Sequence, residues 1–320
     1  MDLINNILIF PGGSEIGLEI LKSLSPIKGI NLFSASSNVS NHAPFAFKKH
    51  SVIADIYSKN CIKELNKIIK DENIHFIFPA NDLIIDFLIE NEKQINCKII
   101  LPDKSIVQLV RSKRDTYKYF KDIIPCPKVF SKFEDISNYP VFVKPNMGYG
   151  AQGARMIQNN FELKECIKNV KDPLIQEYLP GDEYTVDCFS SRVDGLIFSA
   201  ARKRARIRMG TSMNGFLVKH ELDIFFKNYA KIISDKLGII GAWFFQMKMD
   251  EKGNYRLLEI EPRIAGTMAL NRVRGINFSL LSIYEMLDIK YKININNYDI
   301  EIDRSLKNRY KLNLEYNYIY

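Results

Sequence analysis

Short apolar runs alternate with amphipathic segments through the first third of the chain. Asn6 to Phe10 predicts a buried strand, a glycine-containing turn follows at residues 11–17, and an amphipathic helix extends to about Leu24. Strand, glycine turn and helix in this order open a doubly wound sheet. The alternation continues to about residue 104 and predicts a parallel α/β sheet of about four or five strands. The predicted strands are 6–10, 30–34, 51–53, 75–79 and 98–101, and the later predicted helices are 60–72 and 82–92.

The pattern changes after residue 104, where strands follow one another as meanders with fewer helices between them. A helix is predicted from about Ser105 to Lys121 and ends before Pro125. Successive strands with occasional helices are typical of an α+β unit whose sheets grip something between them. The predicted strands are 128–130, 141–144, 154–157, 183–190, 196–202, 241–249 and 255–261, and the predicted helices are 161–169, 224–237 and 278–287. The tail of residues 291–320 is rich in Asn, Tyr and Ile and predicts no role.

Composition narrows the class of protein. A chain of 320 residues suits two or three packed units. No apolar run approaches the ~20 residues that a membrane-spanning helix needs, so no membrane partner is expected. The five cysteines are scattered without CxxC spacing, which predicts free thiols and a cytoplasmic location. The four histidines have no metal-binding spacing, and Trp243, beside two phenylalanines, is predicted to lie in the core.

The net charge of +8 comes mostly from scattered lysines, but one cluster is different. Strand alternation puts Arg202, Arg204, Arg206 and Arg208 on one face, and four arginines on one face are hard to place in a core. We favour a pocket for phosphate or carboxylate groups. A solvated strand and a nucleic-acid patch remain alternatives, although no interleaved aromatic residues support the latter.

The glycine turn is a poor match to a dinucleotide-binding fingerprint. Its glycines at 12, 13 and 17 lack GxGxxG spacing, and no acidic residue ends the next strand at residues 34–36. A tight structural turn, or a rim for a second substrate, is the favoured interpretation.

Two other stretches carry the chemistry. Glu259 and Glu261 lie two residues apart on a predicted strand, so both point to one face and can offer hard oxygen ligands to Mg²⁺. Arg263 shares that face and can meet an anion beside the metal. Lys144 ends an apolar strand and is followed by the flexible glycine loop 147–153. A cation for phosphate, a flexible loop and a carboxylate pair for a metal together indicate chemistry on ATP.

These motifs, in order, resemble the ATP-grasp superfamily, in the branch that includes carbamoyl phosphate synthetase domains and the pyrrolysine-pathway ligase. The residues that carry the resemblance are Lys113–Asp115, Lys144–Pro145, Gly148–Gly153, Gln176–Glu183, Gln246 and Glu259–Arg263. The first hundred or so residues resemble the pre-ATP-grasp domain that usually precedes this fold. The expected domains are therefore 1–104 (pre-ATP-grasp, Rossmann-like), 105–290 (two-lobed ATP-grasp, with a mobile lid lobe at about 125–185) and 291–320 (tail).

The resemblance implies a role for each matching residue. It implies phosphate contacts for Lys113 and Lys144, under a closing loop with Gly148, Gly150 and Gly153. Adenine would lie at a hinge. By the same resemblance, Glu177 and Leu179 correspond to this hinge, and Glu183 corresponds to the acid that binds the ribose hydroxyls. Gln246, Glu259 and Glu261 correspond to metal ligands, and Arg263 corresponds to the arginine that contacts the transferring phosphate. The positions that would contact the acceptor or a phosphate are Arg204, Arg206 and Arg208. Many relatives carry asparagine where this chain has Glu261, which leaves the number of metal ions open.

The activity implied by the resemblance is an ATP- and Mg²⁺-dependent ligase, with Mn²⁺ as an alternative metal. It would join a small-molecule carboxylate to an amine through an acyl phosphate, and a homodimer is a candidate assembly. Two other classes remain: a non-catalytic nucleotide-binding or regulatory module, and a nucleic-acid binder that uses the basic strand Arg202–Arg208.

Overall fold

A computed structural model describes residues 5–148 and 150–305. Residues 1–4, one residue of the glycine loop (Tyr149) and the tail beyond residue 305 lie outside the described residues. The chain divides into two compact units, the first ending at Ile100 and the second running Leu101–Arg304. The sequence had placed this boundary near residue 104.

The first unit contains a five-stranded sheet whose strands are all parallel, so the predicted α/β sheet is confirmed. Its order is β3-β2-β1-β4-β5. Ile7, Leu8 and Ile9 on the central strand are fully buried, as expected for a parallel strand covered on both faces. Its elements are β1 (Asn5–Phe10), α1 (Glu15–Leu24), β2 (Ile30–Ser36), α2 (Ala43–Ala46), β3 (His50–Val52), α3 (Cys61–Asp71), β4 (Phe76–Pro79), α4 (Asp82–Glu90) and β5 (Lys98–Ile99).

The glycine turn after β1 is closely packed, in agreement with a structural role. A Cβ atom on Gly12 would lie 2.5 Å from the Cβ of Ser34, so only glycine fits there. Ser14 begins α1 by accepting a hydrogen bond from the amide of Gly17 at 2.9 Å. Its hydroxyl also donates to the carbonyl of Ala80 at 2.7 Å, which ties the turn to the end of β4.

The second unit contains two antiparallel sheets and is of the α+β class, as predicted. The larger sheet has the order β14-β13-β10-β11-β12-β15 and the smaller one β6-β9-β7-β8. The elements, in chain order, are α5 (Lys104–Arg111), α6 (Lys113–Phe120), β6 (Val129–Phe130), β7 (Val141–Pro145), β8 (Arg155–Ile157), α7 (Asn160–Lys168), β9 (Pro173–Glu177), β10 (Glu183–Ser191), β11 (Gly195–Arg208), β12 (Thr211–Leu217), α8 (His220–Leu237), β13 (Gly241–Met249), β14 (Tyr255–Glu261), α9 (Ala269–Val273), α10 (Phe278–Met286) and β15 (Glu301–Asp303).

Several elements differ from the sequence prediction. The helix predicted over 105–121 is two helices, because Ser112 is extended and caps α6 by accepting from the amide of Asp115. The polar strand β12 was missed, since its serine, threonine, asparagine and glycine residues predict a loop. The tail contributes β15, which pairs with β12 at the edge of the larger sheet.

The core of the second unit lies between the larger sheet and α8. Trp243 is fully buried in it, as predicted, and its indole N–H donates to the hydroxyl of Ser190 at 2.9 Å. Leu257 and Ile260 of β14 belong to the same core. The neighbours of Ile260 along the strand therefore face away from this core, toward the other side of the sheet.

The expectation that four arginines on one strand face are hard to place in a core does not hold for Arg202. Arg202 is only 2% exposed and donates from Nε and Nη2 to the carboxylate of Asp187, at 2.9 and 3.1 Å. Arg204 is also largely buried, whereas Arg206 is exposed and pairs with Asp303. The pairing of β11 with β12 shifts register around Arg206, and such bulges break the strict alternation that the prediction assumed.

Two further observations bear on the class of protein. No helix in the described part of the chain is long and apolar enough to cross a membrane. All five cysteines are described, and none of them forms a disulfide.

The two arginine pairs on β11 provide a stability test. Asp187→Ala leaves the buried guanidinium of Arg202 without its carboxylate, and we expect a loss of about 3–5 kcal/mol in unfolding free energy. Asp303→Ala removes an exposed pair and should cost less than about 1 kcal/mol. Urea unfolding followed by fluorescence of Trp243, the only tryptophan, reports on this unit. Equal losses in the two variants would contradict the assignment of Arg202 to a buried pair.

Candidate active site

The carboxylates of Glu259 and Glu261 lie at the junction of α5 and α6. Lys113 Nζ, at the start of α6, is 3.6 Å from Glu259 Oε2. Arg111 Nη1, at the end of α5, is 3.8 Å from Glu261 Oε1, and Arg263 Nη2 is 3.7 Å from Glu261 Oε2. The two carboxylates thus share one face of β14, as predicted, and cations from both helices surround them.

Lys144 ends β7 in the smaller sheet and is buried. Its Nζ donates to the hydroxyl of Tyr117 on α6 at 2.9 Å. Burial, followed by the charge of Lys113, lowers the pKa of Lys144 to about 7, although Glu259 and Glu183 act in the opposite direction. An anion that comes close to Lys144 would favour its protonated form and raise its pKa.

Asn146 brings the two lysines together. Its side-chain oxygen accepts from the amide of Arg114 at 2.8 Å, and its carbonyl accepts from the amide of Lys113 at 3.2 Å. Its side-chain nitrogen donates to Ser112 Oγ at 3.2 Å and to Asp172 Oδ2 at 2.9 Å. The segment that follows β7 is therefore bound to the first turn of α6, which fixes Lys113 close to Lys144.

The glycine loop lies against the turn between β11 and β12. Gly150 and Gly153 have φ of +58° and +71°, a region that favours glycine. A Cβ on Gly210 (φ +75°) would lie 2.6 Å from the carbonyl carbon of Gly150 and 2.9 Å from the amide of Ala151. Arg204 Nη2 donates to the carbonyl of Gly210 at 2.5 Å and holds the turn in place. Gly148 precedes this contact and packs against Pro145, because a Cβ on Gly148 would lie 3.3 Å from the Cβ of Pro145.

Glu183, the predicted ribose ligand, lies between two cations. Arg204 Nη1 donates to its Oε1 and also to the side-chain oxygen of Gln246, the latter at 2.9 Å. Lys248 Nζ lies 3.4 Å from Glu183 Oε2. The structure thus joins the predicted ribose acid and the predicted metal amide through one guanidinium.

The predicted adenine hinge follows β9. Glu177 Oε1 accepts from the amide of Lys128 at 2.9 Å and lies 3.9 Å from Arg256 Nε. Leu179 is buried. The side chain of Glu177 therefore contacts neighbouring protein groups, and a role of this hinge toward adenine stays a prediction.

The structure separates the three predicted catalytic arginines. Arg263 lies beside Glu261, with its guanidinium 5.3 Å from the centre of the Phe244 ring. Arg206 binds Asp303 of β15 through both carboxylate oxygens, and Arg208 is exposed at the end of β11. Their roles toward an acceptor stay predictions.

The donor set fits a hard divalent cation. Gln246 is paired directly with Glu259 across β13 and β14, and Glu261 follows two residues later. Two carboxylates and an amide oxygen are ligands that Mg²⁺ prefers, and the Gln246 oxygen keeps a second lone pair beside Arg204. Within residues 5–148 and 150–305 no group of three or more His, Cys, Asp or Glu side chains is placed to hold a metal, so this smaller set is the candidate.

Sequence reasoning missed four residues that build the site, namely Arg111, Tyr117, Asn146 and Lys248. Two of them carried a signal. Tyr117 is four residues after Lys113 and thus on the same face of α6, and Lys248 is two residues after Gln246 on the same face of β13. Arg111 and Asn146 act through contacts between distant segments and gave no local signal.

Comparisons with known proteins match parts of the chain to enzymes and to one family model. A family model described as "ATP-grasp in the biosynthetic pathway with Ter operon" matches residues 169–306. The 3-methyl-D-ornithine–L-lysine ligase of Methanosarcina mazei is 28% identical over 148 residues, which cover 45% of this chain and 37% of the ligase. The carbamoyl phosphate synthase large chain of Agathobacter rectalis is 26% identical over 150 residues, or 43% of this chain and 14% of that one. Residues 169–306 are thus similar to an ATP-grasp family.

The fold of nearly the whole chain resembles that of a solved structure. Biotin carboxylase from Campylobacter jejuni, in a complex with a β,γ-ATP, aligns with a TM-score of 0.76 over 92% of this chain and 74% of that one. At 17% identity, this likeness shows the fold. The chain spans less than half the length of either curated relative named above.

The contact between the glycine loop and Gly210 can be tested without any ligand. Gly210→Ala places a side chain on a residue with positive φ, which costs roughly 1–2 kcal/mol, and the new Cβ clashes with Gly150. We therefore expect the loop to detach from the turn. Gly238→Ala is a matched control, because Gly238 has φ +62° and a Cβ there meets nothing within 4 Å. Hydrogen exchange at residues 148–154 should become faster in Gly210→Ala alone. Unchanged exchange in that variant would contradict the contact.

Proposed function

We propose that this chain is an ATP- and Mg²⁺-dependent ligase that joins a carboxylate to an amine through an acyl phosphate. The observation that supports it most is the approach of two buried lysines, Lys113 and Lys144, to the carboxylate of Glu259. The lysines come from α6 and the smaller sheet, and the carboxylate comes from the larger sheet.

The charges of the site suit a triphosphate. Lys113 lowers the pKa of Lys144, which means that the two cations repel each other when both are charged. An anion between them removes that cost, and the phosphates of ATP carry enough charge to do so. In the proposal the glycine loop closes over these phosphates, and Glu183 and the backbone near Glu177 and Leu179 bind the nucleoside.

Magnesium, when bound by Glu259, Glu261 and Gln246, would neutralise phosphate charge and polarise the γ-phosphoryl group. Lys113 and Lys144 would orient the phosphates and offset the negative charge that grows in the transition state. Arg263, held over Phe244, is directed toward the same region and would steady the phosphoryl group during transfer.

The proposed chemistry has two steps. A carboxylate oxygen of the acid attacks the γ-phosphorus of ATP, the bond to the bridging oxygen breaks, and ADP leaves. The amine nitrogen then attacks the acyl carbon, inorganic phosphate leaves and the nitrogen loses a proton, which yields the amide. Phosphorylation is needed because a free carboxylate is a poor acylating agent, and loop closure would protect the acyl phosphate from water.

The names of relatives favour an amide product. The Methanosarcina mazei protein is named as a ligase of two amino acids, so an amine acceptor is the natural first hypothesis for this chain. Which acid and which amine it uses is a matter for a substrate screen. A homodimer, a cytoplasmic location and replacement of Mg²⁺ by Mn²⁺ stay predictions.

The two other classes receive less support. A non-catalytic nucleotide-binding module would not need the full set of Lys144, Glu259, Glu261 and Arg263 that this chain retains. A nucleic-acid binder would need an exposed basic stripe on β11. Arg202 and Arg204 are instead buried against Asp187 and Glu183, which argues against such a surface.

Activity provides the direct test of the proposal. ADP release should require Mg²⁺ and a suitable acid, and a screen over paired acids and amines should find the substrates. We expect Lys144→Ala and Glu259→Ala to lower the rate by about 100-fold or more, because each removes a charge that acts in the transition state. Lys231→Ala, in an exposed ion pair on α8, should leave the rate unchanged.

Two results would contradict or change the proposal. If calorimetry finds no nucleotide binding, and Glu259→Ala behaves as the unchanged protein does, the proposal is wrong. Tight ATP binding with no turnover for any acid would favour the non-catalytic module instead.

The low pKa of Lys144 predicts proton uptake when ATP binds. At about pH 8 most of the amine is neutral in the free protein, and the phosphates favour the ammonium form, so roughly one proton should be taken up. At about pH 6 the amine is already charged and its uptake should vanish. Calorimetry in buffers of different ionisation enthalpy measures the number of protons taken up. The same measurement on Lys144→Met gives the contribution of ATP itself, which is subtracted. If Lys144→Met took up as many protons as the unchanged protein at both pH values, Lys144 would not be the group that takes up the proton.

A further inference from the structure

Tyr117 makes three polar contacts that link both sheets of the second unit. It lies on α6 and its ring is almost completely buried. Its hydroxyl lies 2.7 Å from the carbonyl oxygen of Leu258 on β14, 2.9 Å from Lys144 Nζ on β7 and 3.4 Å from Gln176 Oε1 on β9. Leu258 directly precedes Glu259, so this hydroxyl lies between the proposed phosphate lysine and the strand of the proposed metal ligands.

The single proton of a phenol determines the direction of these bonds. The shortest contact is to the carbonyl of Leu258, which can only accept, so the proton is donated there. The phenol oxygen then offers its lone pairs, and Lys144 donates to it. Burial, followed by the charge of Glu259, raises the pKa of Tyr117, so the phenol keeps its proton at neutral pH and this polarity is maintained.

Lys144 needs such an anchor. A lysine has a flexible stem, and this one faces the charge of Lys113, with Glu259, Glu183 and Lys248 also acting on it. A hydroxyl at 2.9 Å uses one N–H bond and leaves the others available for a ligand. Without that hydroxyl the amine would keep neither its direction nor an acceptor that favours its charged form.

We propose that Tyr117 is a positioning residue, whose hydroxyl holds Lys144 Nζ at a fixed distance from β14 and directs its remaining N–H bonds toward the phosphates of ATP. This inference rests on the proposed function, in which Lys144 binds phosphate. Tyr117 itself touches no substrate in this scheme and acts only through Lys144.

A double-mutant cycle on ATP affinity tests the inference. Tyr117→Phe keeps the ring and removes the hydroxyl, and we expect ATP to bind roughly tenfold more weakly, as for loss of a hydrogen bond to a charged group. Tyr119→Phe is the matched control on the same helix, because its exposed hydroxyl donates to the carbonyl of Lys236, and its affinity should not change. In the Lys144→Met background, Tyr117→Phe should have no further effect.

A second readout separates positioning from a structural role. Loss of the acceptor should shift the pH range of proton uptake on ATP binding to lower pH in Tyr117→Phe, since the ammonium form is less favoured. Unchanged affinity and pH range, additive losses with Lys144→Met, or an unfolded Tyr117→Phe protein would each overturn the inference. Absence of ATP binding in the unchanged protein would instead overturn the proposed function. Binding that depends on Lys144 but not on Tyr117 would overturn this inference alone.

Discussion

Two lysines buried side by side are the constraint on which the rest of this structure depends. Lys113 and Lys144 come from different elements and each is almost completely covered by protein. Burial and the charge of Lys113 both disfavour the charged form of Lys144 and lower its pKa to about 7. The carboxylate of Glu259 offsets part of this cost. In the proposed function, a polyanion that enters the site favours the charged form of Lys144.

The fold supplies this arrangement through a few connections between its two antiparallel sheets. Helix α6 carries Lys113 and contacts both sheets, with Asn146 bound to its first turn and Tyr117 bound to β14. A further connection is made where the turn at Gly210 contacts the glycine loop at Gly150. Arg204 connects that turn to Glu183 and Gln246. The residues proposed for phosphate, ribose and metal are thus connected by a small number of hydrogen bonds.

Much of this was predictable from local pattern, and the reasons are physical. The parallel sheet follows from alternating apolar strands and helices, and the placement of Glu259 and Glu261 on one face follows from the two-residue period of a strand. The position of Lys144 at the end of an apolar strand was predicted and is confirmed, whereas its role toward phosphate stays a prediction. Trp243 was correctly assigned to the core because of its hydrophobic context.

The rest depends on contacts between segments that are distant in the chain. Tyr117 meets Lys144 across 27 residues and Leu258 across 141, and no local pattern encodes such pairs. The arginine strand was misjudged because alternation assumes a regular strand, whereas β11 shifts register and Asp187 receives Arg202 in the interior. Strand β12 was missed because its polar residues are typical of loops, and pairing with β11 and β15 overrides that preference.

The central claim is that the lysines and the carboxylates converge on one triphosphate. A crystal structure of the full chain with Mg²⁺ and a non-hydrolysable ATP analogue tests it most directly. The account predicts phosphate oxygens within ~3 Å of Lys113 Nζ and Lys144 Nζ, and a metal ion at ~2.1 Å from oxygens of Glu259 and Glu261. A nucleotide bound elsewhere, with these four side chains contacting only protein and solvent, would contradict it.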